Sequence, residues 1–274
     1  MTVGLGEQER DELLRAAVAA PSLHNSQPWK FRFRGWEVEV HRDRAREQPA
    51  EDPDGRMLFL ALGAAIFNLR VAAARLGLTA VVRSVSDRHR PDLVAELDLS
   101  PGGPDVEQLG PLAPYVVRRR TNREPYDERR LPGDVRTLLE FSARLEGAEL
   151  DWLNQPARLK WLRLATKVES SADATRRMLA TFEHDPQLAV LSTRYDGPDE
   201  WLRAGQAMQR ILLEATGRGV STSVLNQAIE HEVLRWLIND PLGTWRRPQA
   251  VISLGYGPPT PPVPRRPISD VLLD

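Results

Sequence analysis

Cysteine is absent from this 274-residue chain, and lysine occurs only at Lys30, Lys160 and Lys167. Without cysteine there is no disulfide framework, no thiol nucleophile and no cysteine-bound zinc. An excess of either charge is missing too. The 37 Lys+Arg stand against 38 Asp+Glu, so no general field attracts nucleic acid or an anionic membrane. Long apolar runs are also lacking. The best, Met57 to Leu69, falls short of the about 20 residues a spanning helix needs and runs into Arg70 and Arg75. The opening MTVGLGEQERDELL has no basic stretch leading into an apolar one, so no secretory leader is expected and the chain reads as cytoplasmic. There is no G-x-G-x-x-G, no Walker A loop and no G-x-S-x-G elbow. Glu230-His231-Glu232 could imitate a metal cluster, but no second histidine lies four residues away, and no metal is expected.

The periodicity that is present predicts alternating helices and strands. A helix is expected over Glu7 to Ala19, ended by Pro21. Strands follow where Trp29, Phe31 and Phe33, then Trp36, Val38 and Val40, alternate with polar residues. Residues 41–56 read as loop, and Met57 to Leu76 as a long apolar helix closed by Gly77. Strands are expected at Thr79 to Val85, Leu93 to Leu99 and Ala250 to Gly255. Helices are expected from about Val106 and at 133–146, 156–180, 198–218 and 228–238. Beyond Gly255, the Pro-rich tail should be extended and stiff.

One regularity spans the chain. Gly63, Ala65, Ala73 and Gly77 recur at a constant offset as Gly205, Ala207, Ala215 and Gly219, each set on an apolar helix ending at glycine. A duplicated half would produce this, making the chain a covalently fused pseudo-dimer. Coincidence among small helical residues would also produce it.

Two stretches concentrate chemistry. Arg118 to Arg123 gathers arginines around Thr121, and guanidinium forks beside a hydroxyl suit a phosphate monoester. A solvated basic turn would use the same residues. Ser22 to Trp29 gathers hydrogen-bonding side chains, with His24 the histidine in the most suggestive setting. Such a loop suits the polar edge of a ring, or simply its own turn. No acid, base or nucleophile set stands on its own, so an enzyme of this kind would rely on a cofactor.

These residues carry a resemblance. AAPSLHNSQPW (Ala19 to Trp29) is similar to the P-S-x-x-N-x-Q-P-W loop of the FMN-dependent nitroreductase family, in its internally duplicated Acg-like branch. RRTNREPYD (Arg119 to Asp127) resembles that family's R-R-S-x-R-x-F phosphate motif, with Thr121 keeping the hydroxyl and one extra residue before Tyr126. Ala204 to Ser223 resembles the family's central helix and following turn, and Leu254 to Leu272 its C-terminal segment. The resemblance implies an α+β, nitroreductase-like fold: an internally duplicated pseudo-dimer with mixed sheets flanked by helices. Residues 1–110 would form the first half, and 111–274 the second, with the phosphate motif and C-terminal arm. It implies one composite FMN site per chain, so that a monomer suffices. Arg119, Arg120, Thr121 and Arg123 would take the FMN phosphate and ribityl chain, assisted by Arg265 or Arg266. Pro21, Ser22 and Leu23 would approach the isoalloxazine with His24 and Asn25 beside it, Gln27 would hold the loop, and Asn226 and Gln227 would lie near flavin N5. The flavin would carry the chemistry, taking hydride from NADH or NADPH and passing electrons to a small acceptor such as a quinone or nitro compound. A non-catalytic flavin-sequestering protein and a flavin-dependent tailoring dehydrogenase stay open as alternatives.

Overall fold

The computed structural model describes residues 4–154, 187–225, 227–230, 235, 238 and 246–274, with the backbone alone at Gln227 and Ala228. Two compact units divide the chain: Met1–Arg118 with Val263–Asp274, and Arg119–Pro262. This differs from a division at 110/111. The C-terminal arm belongs to the first unit, and the arginine motif opens the second.

In the first unit, α1 (Glu7–Val18) begins where the Gly6 amide donates to Glu9 Oε2 at 2.7 Å, and it buries Leu13, Leu14, Ala17 and Val18. β1 (Trp29–Arg34) and β2 (Glu37–Arg42) form a hairpin whose tight turn places Gly35 at φ +63°, a region that favours glycine. Alternation turns Phe31, Val38 and Val40 inward. After α2 (Arg56–Arg75), Gly77 at φ +77° releases the chain into β3 (Leu78–Ser84) and β4 (Leu93–Pro101). The sheet order is β1-β2-β4-β3. Short helices α3 (Pro104–Leu109) and α4 (Ala113–Val116) complete the unit.

Helix α2 lies where the sequence placed a long apolar helix, and its 20 residues meet the length and hydropathy of a membrane span. It is nevertheless a core helix, because 89% of its most apolar window is buried within the protein. Its start is fixed by Asp52, whose carboxylate accepts from the amides of Met57 at 3.0 Å and Leu58 at 2.8 Å. Those two donors have no intrahelical partner. Asp52→Ala is therefore expected to cost about 1–2 kcal/mol, read as a lower urea midpoint. An unchanged midpoint would mean that water serves these amides equally well.

The second unit contains α5 (Gly133–Leu145), β5 (Glu149–Trp152), β6 (Gln187–Thr193), α6 (Pro198–Gly217), β7 (Ser221–Val224) and β8 (Arg247–Gly255). Its sheet order, β5-β6-β8-β7, repeats that of the first. The offset that relates Gly63 to Gly205 also relates the ends of α2 to those of α6, and Gly219 leaves α6 at φ +69° as Gly77 leaves α2. This match is what a duplicated half would show. The strands of both sheets pair antiparallel, and among the described residues the parallel component expected of mixed sheets is confined to two isolated bridges, Phe31 to Leu272 and Thr121 to Thr222. β5, β6 and β7 were not expected from the sequence. The helix expected over 156–180 lies outside the described residues, as does most of 228–238, where Gln227–Glu230 forms a 3-10 turn.

Candidate functional site

The loop after α1 has an uncommon backbone. His24, Asn25 and Gln27 all have positive φ (47°, 59° and 51°), although none is glycine. Each such residue costs about 1–2 kcal/mol unless its surroundings hold it there. Local bonds supply part of the hold: Ser22 Oγ accepts from the Gln27 amide at 2.9 Å, and Gln27 Nε2 donates to Asn25 O at 3.3 Å. The rest comes from the C-terminal arm in the same unit. Asn25 Nδ2 donates to Pro264 O at 2.9 Å, while Arg265 donates to Asn25 Oδ1 and, at 3.1 Å, to Ala19 O. The Arg266 amide donates to Gln27 Oε1 at 2.9 Å. Arg266 Nη1 reaches Gln27 O at 2.8 Å and Trp29 O at 3.3 Å, and Nη2 reaches Asp270 O at 2.7 Å and Asp43 Oδ2 at 3.1 Å. Past this clamp the arm runs along β1. Phe31 donates to Val271 O and accepts from the Leu273 amide, both at 2.7 Å.

The resemblance implied that Arg265 or Arg266 assists at the phosphate, and in the structure both donate to the loop after α1 or to the end of that helix. Instead of an open phosphate fork, Arg266 presents a side chain only 8% exposed and already engaged with four oxygen acceptors. Gln27 bonds within the loop and to the arm, in keeping with the loop-holding role the resemblance implied. Pro21, Ser22, Leu23 and Asn25 are half-buried, and His24 is exposed.

The arginine segment opens the second unit. Arg119 is buried, Arg120 is half-buried with Nη1 donating to Arg119 O at 2.9 Å, and Thr121 and Arg123 are exposed. Asn122, which sequence reasoning gave no role, organises them. Its amide donates to Thr222 O on β7 at 2.8 Å, and its Nδ2 donates to Pro258 O at 2.8 Å and Ser221 Oγ at 3.2 Å. Its Oδ1 accepts from the Glu124 amide at 2.9 Å. Asparagine at the centre of a basic run was the signal available, because a residue 3% exposed among arginines must satisfy its amide internally.

Tyr126 closes the arrangement. Its hydroxyl donates to Asn122 O at 3.2 Å, and burial pushes its pKa well above the ordinary tyrosine value, so it stays a neutral donor. Its ring fills the space over Gly255 and Gly257, where a Cβ would lie 2.5 and 3.0 Å from ring carbons. Arg129 stacks on Tyr256 at 4.4 Å and pairs with Asp127 at 2.6 Å. Thus the G-Y-G after β8 and the R-R-T-N-R run form one folded piece.

Asn226 lies outside the described residues, as do His231 and the Gln227 side chain. Among the described residues, Glu37, Glu39 and Glu96 come close enough to suggest a metal site. Arginines already occupy the cluster: Arg32 and Arg34 pair with Glu39 at 3.3 and 3.0 Å, and Arg90 with Glu96 at 3.0 Å. It reads as an ion-pair network on the sheet.

No family model matches the chain. Its sequence is similar over nearly its whole length to Acg of Mycobacterium tuberculosis strain H37Rv, provisionally named an NAD(P)H nitroreductase. The two are 29% identical, over 94% of this chain and 93% of that one. A second protein of that strain, Rv3131, provisionally named in the same way, is 28% identical over 95% of this chain and 90% of its own. Among solved structures, a chain from Anabaena variabilis with a provisional nitroreductase name aligns with a TM-score of 0.61, covering 91% of this chain and 88% of that one at 12% identity. That likeness speaks to the fold. The chain is thus similar over nearly its whole length to Acg and Rv3131, and it shares the fold of the Anabaena chain.

Proposed function

We propose that the chain is an FMN-dependent oxidoreductase that uses NADH or NADPH to reduce a small acceptor in the cytoplasm. The observation that carries this reading is the segment Arg119 to Arg123, where a buried arginine, an exposed hydroxyl and an exposed arginine flank Asn122, which is bonded to Thr222 O and Pro258 O. Those residues fit a phosphate monoester, which needs charged and neutral donors at a fixed spacing. Arg119, Arg120, Thr121 and Arg123 would hold the FMN phosphate and ribityl chain. Pro21, Ser22, Leu23, His24 and Asn25 would meet the ring, and Asn226 and Gln227 are proposed near its N5. When bound, the flavin supplies the redox chemistry, accepting hydride from reduced nicotinamide and passing electrons to the acceptor. The protein's own contribution is to bind, orient and stabilise charge with preorganised donors. The provisional names of Acg and Rv3131 support nicotinamide as reductant.

The test is NADH and NADPH oxidation by the FMN-loaded protein with a quinone or a nitroaromatic acceptor. Turnover that requires FMN is expected. Tight FMN retention without nicotinamide oxidation would instead favour a flavin-sequestering protein.

A further inference from the structure

Resting on the flavin reading of loop 22–28, we propose that Arg266 is a positioning residue for the flavin ring and takes no part in holding the phosphate. Three features carry this. The loop keeps three non-glycine residues at positive φ, a shape that ordinary chain leaves unless other contacts over-determine it. Arg266 meets that loop where the shape needs support: Nη1 bridges Gln27 O and Trp29 O, and its amide takes Gln27 Oε1. Its remaining Nη2 is committed to Asp43 and Asp270 O. The buried Nε has no hydrogen-bond partner among the described residues, and one N–H offers no fork to an anion. The arm is itself anchored beyond this point by its bridge to Phe31, so Arg266 acts from a fixed support.

The consequence is a split between two ligands. Riboflavin has the ring of FMN without the phosphate. A residue that shapes the ring loop affects both ligands equally, because apparent affinity falls with the fraction of chains whose loop is competent. A phosphate ligand affects FMN alone.

The experiment titrates FMN and riboflavin into the full chain and into R266A, R266K and R123A, at a temperature where each is folded. R266A is expected to weaken both flavins by the same factor, about tenfold if the loop is competent in about a tenth of the chains. The visible band of the flavin still bound should move toward that of free flavin. R266K, included in case R266A does not fold, should behave alike, since an ammonium cannot bridge two carbonyls as the planar fork does. R123A should weaken FMN and spare riboflavin. Loss of FMN alone in R266A, or its rescue in R266K, would overturn the proposal, because a lysine serves a phosphate as a point charge. Unchanged binding of both flavins by R266A would overturn it as well. If the unsubstituted chain bound neither flavin, the flavin reading itself would fall, an outcome no variant result imitates.

Discussion

Replacing Arg119 and Arg123 together with Ala is expected to lower FMN affinity at least about a hundredfold while leaving riboflavin affinity nearly unchanged. A hydrogen bond to a charged partner contributes about 1.5–3 kcal/mol, and two such losses reach a hundredfold at about 2.8 kcal/mol. The two arginines differ in setting. Arg123 is exposed, so its removal should touch little besides the anion, and Arg123→Ala alone should cost about tenfold. Arg119 is 2% exposed, so its removal also leaves a cavity, and a thermal melt must accompany its titration. Isothermal titration with both flavins separates the two effects. Equal loss of FMN and riboflavin in Arg123→Ala would remove that residue from the phosphate set.

Gly255→Ala is expected to lower stability by about 1–3 kcal/mol, the usual cost of forcing atoms into a packed core. The methyl would fall 2.5 Å from Tyr126 Cδ2, 2.8 Å from Cγ and 2.9 Å from Cβ, too close for a ring root that cannot swing aside. The effect should spread. Tyr126 donates to Asn122 O, and Asn122 fixes the arginine segment on β7, so displacing the ring should also weaken FMN binding. A double-mutant cycle checks the route. In a Tyr126→Gly background all three of those contacts are gone, and the cost of the added methyl should largely vanish. An equal cost in both backgrounds would assign the strain to the backbone of β8 instead of to the ring.

Much of the first unit was legible in the sequence because its elements follow simple periods. Phe31, Val38 and Val40 alternate along β1 and β2, and the small-residue pattern of α2 ends at a glycine that the left-handed exit requires. The second unit was harder to read. β7 is Ser221–Val224, a short polar run that becomes a strand because β8 lies beside it, and β5 is equally short. Local composition cannot announce a strand whose pairing partner lies far along the chain. Arg266 shows the same limit at the site. A guanidinium offers the same fork to a phosphate as to backbone carbonyls, and only the fold reveals that Gln27 O and Trp29 O stand within its reach. Asn122 is the uncharged amide residue of a basic run, and its organising role follows from a burial that only the fold reveals.

The measurement closest to the central claim is the visible spectrum of the purified chain after addition of FMN and desalting, followed by NADPH or NADH without oxygen. The account predicts a flavin band retained at about one FMN per chain, as the single arginine motif and single ring loop imply, and bleached by the nicotinamide. A chain that emerges colourless, with no band restored by excess FMN, would contradict it.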